Sequence, residues 1–127
     1  MKGKLYLSSI RTFSQVNVPH RFEITRYPKL EIYPQVTQLK CLAPSKRLLS
    51  FFKSQPKNND SLLTYYFQYK QEISNSIEAQ KALKNIERLL DNGEDVQLIC
   101  FCPDYRYCHR TILGQWLERK GYEVIYD

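Results

Sequence analysis

Residues 96–121 read VQLICFCPDYRYCHRTILGQWLERKG. Val96, Leu98, Ile99 and Cys100 make a short, mostly apolar run, the composition of a strand covered on both faces. Pro103 and Asp104 then interrupt regular structure. From His109 onward the period changes: Ile112, Leu113, Trp116 and Leu117 recur at helical spacing, and Gly121 supplies the stop. The stretch therefore predicts strand, polar loop and helix, with three of the four cysteines at the turn. A helix entered this way offers unpaired N–H groups and the positive end of its dipole to an anion, and Arg110 stands beside them.

Outward from this unit, Ala79, Ala82, Leu83, Ile86, Leu89 and Leu90 form an amphipathic stripe that ends at Asn92-Gly93. Glu123 to Tyr126 follows Gly121 as a last strand. Helix, strand, loop, helix and strand in this order make a βαβ unit preceded by its own helix. Lys4 to Ile10 and Arg21 to Thr25 read as further strands, and Leu30 to Tyr33 as a strand fragment. Ser45 caps a helix carrying Leu48, Leu49 and Phe52. Asn59 or Asp60 caps the next, whose stripe is Leu62, Tyr66, Tyr69 and Ile73 with Leu63 and Phe67 alongside. Ser74-Asn75-Ser76 breaks that helix and caps the Ala79 helix.

The fold class expected is α/β: one domain over residues 1–127, three layers, a mainly parallel sheet flanked by helices in the Rossmann or rhodanese-like manner. In such sheets ligands bind beyond the carboxyl ends of the strands. A first strand parallel to Val96–Cys100 brings Ser8, Ser9 and Arg11 to the cysteine loop.

With 127 residues, 43% hydrophobic and 25% charged, the chain is ordinary for a globular domain able to fold without staples. Its apolar runs are too short for a signal peptide core or a membrane span, so a cytoplasmic location and no membrane partner are expected. Three crowded cysteines and a distant Cys41 do not make a secreted disulfide framework, which favours reduced thiols. The net charge is +6, unevenly spread: residues 1–60 hold 11 Lys/Arg against 3 Asp/Glu, and residues 61–127 hold 8 against 10. A basic half suits a polyanionic partner, whether a phosphate-bearing small molecule or nucleic acid; a solvated basic surface is the structural alternative.

Two motifs carry a resemblance. Leu39-Lys40-Cys41-Leu42-Ala43-Pro44-Ser45, followed by Leu48 to Phe52 and the Phe67/Tyr69/Ile73 helix, is one; Cys100-x7-Cys108-His109-Arg110 is the other. Together, over roughly residues 20 to 126, they resemble the YeaO-like bacterial domains of unknown function. Arg26 falls where that family has an arginine, but Thr25 stands in place of aspartate, and Tyr27-Pro28-Lys29-Leu30 replaces Trp-Pro-Arg-Gly. The resemblance implies a small α/β fold with a pocket at the Cys-His-Arg loop. It implies no particular reaction.

Read one by one, the candidate residues rank as follows. Cys108, at a helix N-terminus beside His109 and Arg110, is the leading reactive thiol; its alternative is a small buried packing residue. His109 is the candidate general base, or else a histidine exposed in the first turn or bonded to the sheet edge. Arg110 is suited to phosphate or carboxylate, or to a salt bridge with Asp104. Cys100 is expected half-buried and Cys102 more exposed. Cys100 and Arg106 match a Cys-x5-Arg oxyanion loop in spacing only, since the intervening residues hold no glycine and include Pro103 and Asp104. Cys100, Cys102, Cys108 and His109 supply enough ligand atoms for zinc, but adjacent Cys108 and His109 strain a tetrahedron, so no metal and no cofactor is expected. Tyr105 and Tyr107 are placed to stack on a base.

The function expected is binding of a phosphate-bearing ligand, a nucleotide or nucleic-acid end, at Arg110, His109, the helix N-terminus and Arg11 or Arg26. Cys108 and His109 are its catalytic candidates if thiol chemistry follows; Ser8, Ser9, Cys100, Cys102 and Arg106 complete the set. The alternative is a non-enzymatic inhibitor acting through the basic N-terminal face.

Overall fold

The computed structural model describes residues 1–56, 58–101 and 108–126. Five strands, β1 (Lys4–Ser9), β2 (His20–Glu23), β3 (Val36–Gln38), β4 (Val96–Cys100) and β5 (Glu123–Ile125), form one sheet in the order β3-β2-β4-β1-β5. Every pairing is parallel. Among the described residues the α-helices are α1 (Lys46–Lys53), α2 (Asn59–Ser74), α3 (Ile77–Asp91) and α4 (His109–Arg119). The fold is the expected three-layer α/β architecture, with a wholly parallel sheet.

Alternation along the strands sorts the core into two. Leu5, Leu7, Phe22, Val96, Leu98 and Cys100 face the helices and share one cluster with Leu48, Tyr65, Ile73, Ile86 and Ile112. The intervening residues turn to the other face, where Ile99 packs with Phe13, Leu30 and Val36. That third layer is thin: a 3-10 turn (Phe13–Gln15) and the segment around Leu30 cover the sheet there. Gln97, fully buried on this face, donates from Nε2 to Ser8 Oγ (2.8 Å) and to the Phe13 carbonyl (3.0 Å), fastening the turn to the central strands.

Helix ends follow local chemistry. Ser45 Oγ accepts from the Leu48 N–H and Ser76 caps α3 through Ala79 N–H, each satisfying a donor that the first turn leaves unpaired. The cap of α2 is Asn58, one residue earlier than the sequence suggested. Its buried face is Ser61, Tyr65, Tyr69 and Ile73, while Leu63 and Phe67 are 65% and 63% exposed. Both stripes of this helix are apolar enough to be buried. Packing decides between them: the Tyr65 ring stacks on Phe52 of α1 with centroids 4.4 Å apart. The strand fragment expected at Leu30 to Tyr33 is absent, and β3 lies further on, at Val36–Gln38. Pro28 and Pro34 punctuate this stretch, which is instead held by Glu23.

Gly93 and Gly121 end α3 and α4 at φ +85° and +101°, a conformation that favours glycine. Among the described residues no helix is long and apolar enough to cross a membrane.

Candidate functional site

Parallel register brings the carboxyl ends of β1, β2 and β4 to one edge. Ser9 lies opposite Cys100, and Glu23 opposite Ile99. Beyond β4 the chain returns as α4, whose N-cap is Cys108. Cys108 has extended dihedrals (φ −114°, ψ 141°) and His109 opens the helix. This change of backbone conformation turns both side chains back toward the strand end.

Four side chains are packed there. Cys100 and Cys108 have no exposure, His109 4% and Arg110 2%. Cys100 is thus fully buried rather than half-buried, because its side chain points into the helix-facing core. The two sulfurs are in direct contact and their Cα atoms are 7.9 Å apart. Arg110 Nη1 donates to Cys100 Sγ at 3.0 Å and to Cys108 Sγ at 3.6 Å. These bonds tie the first turn of α4 to the end of β4.

His109 Nε2 donates to the Ile24 carbonyl at 2.6 Å, since a carbonyl only accepts. The other nitrogen, Nδ1, therefore keeps its lone pair, and it lies 3.9 Å from Cys108 Sγ. Burial, reinforced by Arg110 and partly opposed by the Ile24 bond, pulls the imidazole pKa down to about 4. At neutral pH the ring is uncharged. Of the sequence alternatives for His109, the one realised is the ring bonded to the sheet edge.

Next to His109 is a cavity of about 260 Å³. Arg26, Lys29 and Lys53 bring three cations to its wall, Tyr27 and Phe101 bring aromatic rings, and Thr25 lies beside His109. No acidic side chain is among the described residues that line it. Thr25 Oγ1 is buried and has no hydrogen-bond partner among the described residues. The wall is held from behind by Glu23, which is fully buried; its two carboxylate oxygens accept the N–H groups of Lys29 (2.8 Å) and Leu30 (3.1 Å). Lys29 Nζ sits 5.6 Å from the centre of the Phe101 ring.

The other candidates are placed as follows. Arg26 lines the cavity. Ser8 is on the opposite face of the sheet, accepting from Gln97. Ser9 Oγ lies 3.2 Å from Thr12 Oγ1 and accepts from the Arg11 N–H at 3.2 Å, and Arg11 is exposed away from the cavity lining. Cys102 and Arg106, with Asp104, Tyr105 and Tyr107, lie outside the described residues. Sequence reasoning missed Lys29, Lys53, Phe101 and Glu23. Lys29 carried a weak signal as part of the basic stretch from Arg21 to Lys29; Lys53 carried none, because only the packing of α1 places its end at the strand edge.

Comparison with curated proteins and with solved structures gave no match. A family model described as "Active DUF488-N3 subclade" matches residues 20–121, a span that takes in the Thr25–Lys29 wall, Lys53 and the whole Cys-His-Arg turn. The chain belongs to this family, DUF488-N3a.

Proposed function

We infer that the cavity beside His109 binds a phosphate-bearing ligand, a nucleotide or a nucleic-acid end, with YeaO-like domains as the wider relatives within which this pocket belongs. One observation carries the reading: Arg26, Lys29 and Lys53 converge on a single cavity whose described lining holds no carboxylate. Like charges are brought together at a cost unless an anion joins them. The half-buried Arg26 is suited to a bidentate hold on phosphate, and the two lysines act as point charges. Phe101 and Tyr27 provide flat apolar surface of the kind on which a base stacks. Thr25 Oγ1 adds a polar group that still needs a partner.

The sequence puts Arg110 among the ligand-binding residues, and the described bonds of its guanidinium run to the two sulfurs. Arg110 is not among the described residues that line the cavity, and its bonds to the sulfurs help to hold the start of α4 against the end of β4. With Cys100 and Cys108 both fully buried, the reading gives ligand contact to the cavity residues and no attacking role to either sulfur.

The test is thermal stabilisation by nucleoside monophosphates and by 5′-phosphorylated oligonucleotides. Both the shift and its salt dependence are expected to vanish in an Arg26→Ala/Lys53→Ala protein. An equal shift in wild type and variant would remove the cavity from consideration. A steep salt slope identifies the oligonucleotide as the ligand, a shallow one the small molecule.

A further inference from the structure

We propose that Cys100, Cys108 and His109 form a binding site for a thiophilic divalent metal ion, zinc by the character of its ligands. The two sulfurs and a ring nitrogen of His109 all lie within 4.8 Å of one another, and all three residues are buried. Two thiolates and one imidazole are a donor set that selects zinc over the oxygen-seeking cations.

Three independent features favour a metal over a simple pairing of the cysteines. The first is backbone spacing. The Cα atoms are 7.9 Å apart, beyond the roughly 4.4–6.8 Å that an ordinary disulfide spans. The sulfurs, in contact in this structure, would have to part for an ion about 2.3 Å from each, which holds them ~3.8 Å apart, and the wide backbone spacing accommodates that span. The second is the imidazole. A ligating histidine commonly gives its remaining N–H to a backbone carbonyl, which fixes the ring and the tautomer. His109 does this through Nε2 to Ile24, leaving the Nδ1 lone pair on the side of Cys108. The third is the outer shell: Arg110 donates to both sulfurs, as groups around metal-bound thiolates do.

Adjacency of Cys108 and His109 argued against zinc when only the sequence was considered. The structure removes that objection. Cys108 is extended and His109 helical, so consecutive side chains converge instead of diverging. On binding, each thiol gives its proton to solvent and the ion's two charges are balanced by two thiolates. Among the described residues three protein ligands are present, which leaves one coordination position of a tetrahedron to be filled. His109 is also the ligand that adjoins the cationic cavity. The site nevertheless stands on its own observations, whatever the cavity binds.

The experiment uses the full chain, purified under reducing conditions, with zinc measured by mass spectrometry before and after dialysis against cobalt(II). About one ion per chain is expected, and the cobalt form should show the thiolate-to-metal charge-transfer band of a tetrahedral sulfur site. Cys100→Ser and Cys108→Ser should lose the band, and Cys41→Ser should keep it. Should the serine variants fold poorly, the wild type answers alone. Bound zinc should slow iodoacetamide labelling of Cys100 and Cys108 by roughly tenfold or more, and a chelator should restore the rate. The Arg26→Ala/Lys53→Ala protein should load the same ion, so that failure of anion binding and failure of metal binding are told apart. Metal content far below one per chain after zinc loading, with no cobalt band and labelling indifferent to chelator, would overturn the proposal.

Discussion

The ring of His109 donates to the carbonyl of Ile24 across 2.6 Å, joining the first turn of α4 to the residue that follows β2. This bond ties the two sides of the site together. Ile24 precedes Thr25 and Arg26 in the cavity wall, and His109 follows Cys108 at the helix cap. The ring is neutral at pH 7 because it is buried, with Arg110 adding to the cost of an imidazolium there; the Ile24 bond works the other way.

Acid should therefore destabilise the protein through this residue. The unfolded chain takes up a proton on histidine near pH 6.5, whereas folded His109 does so only at about 4. Between those values the unfolded state binds more protons, so stability falls as pH drops, by up to about 3 kcal/mol. Urea midpoints measured from pH 7 to pH 4, with chelator and reductant present, should show this loss. His109→Gln, which can still donate to Ile24, should flatten that part of the curve.

Arg110 is predicted to be essential for stability as well as for the sulfurs. Arg110→Met removes a buried cation and leaves its partners facing apolar atoms, at a cost of about 3 kcal/mol or more. Arg110→Lys should recover little, since one ammonium on a flexible stem does not reproduce a fork directed at two sulfurs. Denaturant unfolding of both variants measures the difference.

Glu23→Ala should loosen the cavity wall. Two backbone N–H groups lose their acceptor, which costs about 2–4 kcal/mol by the usual penalty for buried unsatisfied donors. Because Lys29 belongs to the freed segment, phosphate affinity should fall by more than the stability loss alone explains. Titration well below the unfolding temperature separates the two effects.

At Gly114 two effects oppose each other. Alanine in a helix interior is favoured over glycine by about 1 kcal/mol. Here its Cβ would lie 2.6 Å from Leu7 Cδ1 and 3.2 Å from Val124 Cγ1. Overpacking of this kind costs about 1–3 kcal/mol, so Gly114→Ala should lower the melting temperature. A rise would mean that α4 is free to lift from β1.

Much of this molecule was legible in its sequence, for identifiable reasons. The β4–α4–β5 unit could be read because Val96–Cys100 is mostly apolar and Gly121 marks a clean stop. Ser45 and Ser76 were recognisable as caps because one local hydrogen bond defines them. The buried stripe of α2 was not recoverable, since Tyr65 and Tyr66 are chemically alike and only the Phe52 ring chooses between them. The cavity was half visible. Arg26 and His109 stood out by type, but Lys29 depends on the Glu23 clamp, and Lys53 on the packing of a helix far away in sequence. Arg110 stood out from its place at the helix start, but its bonds to the sulfurs were not legible, because only the fold brings Cys100 back beside it.

The central claim is that the cavity recognises phosphate. Its most direct measurement compares the affinity of a 5′-phosphorylated dinucleotide with that of its unphosphorylated twin, by titration calorimetry at moderate salt. Three converging cations predict a preference of about tenfold or more for the phosphorylated form, equivalent to ~1.4 kcal/mol, and its loss in the Arg26→Ala/Lys53→Ala protein. Equal affinities for the two ligands would contradict the account.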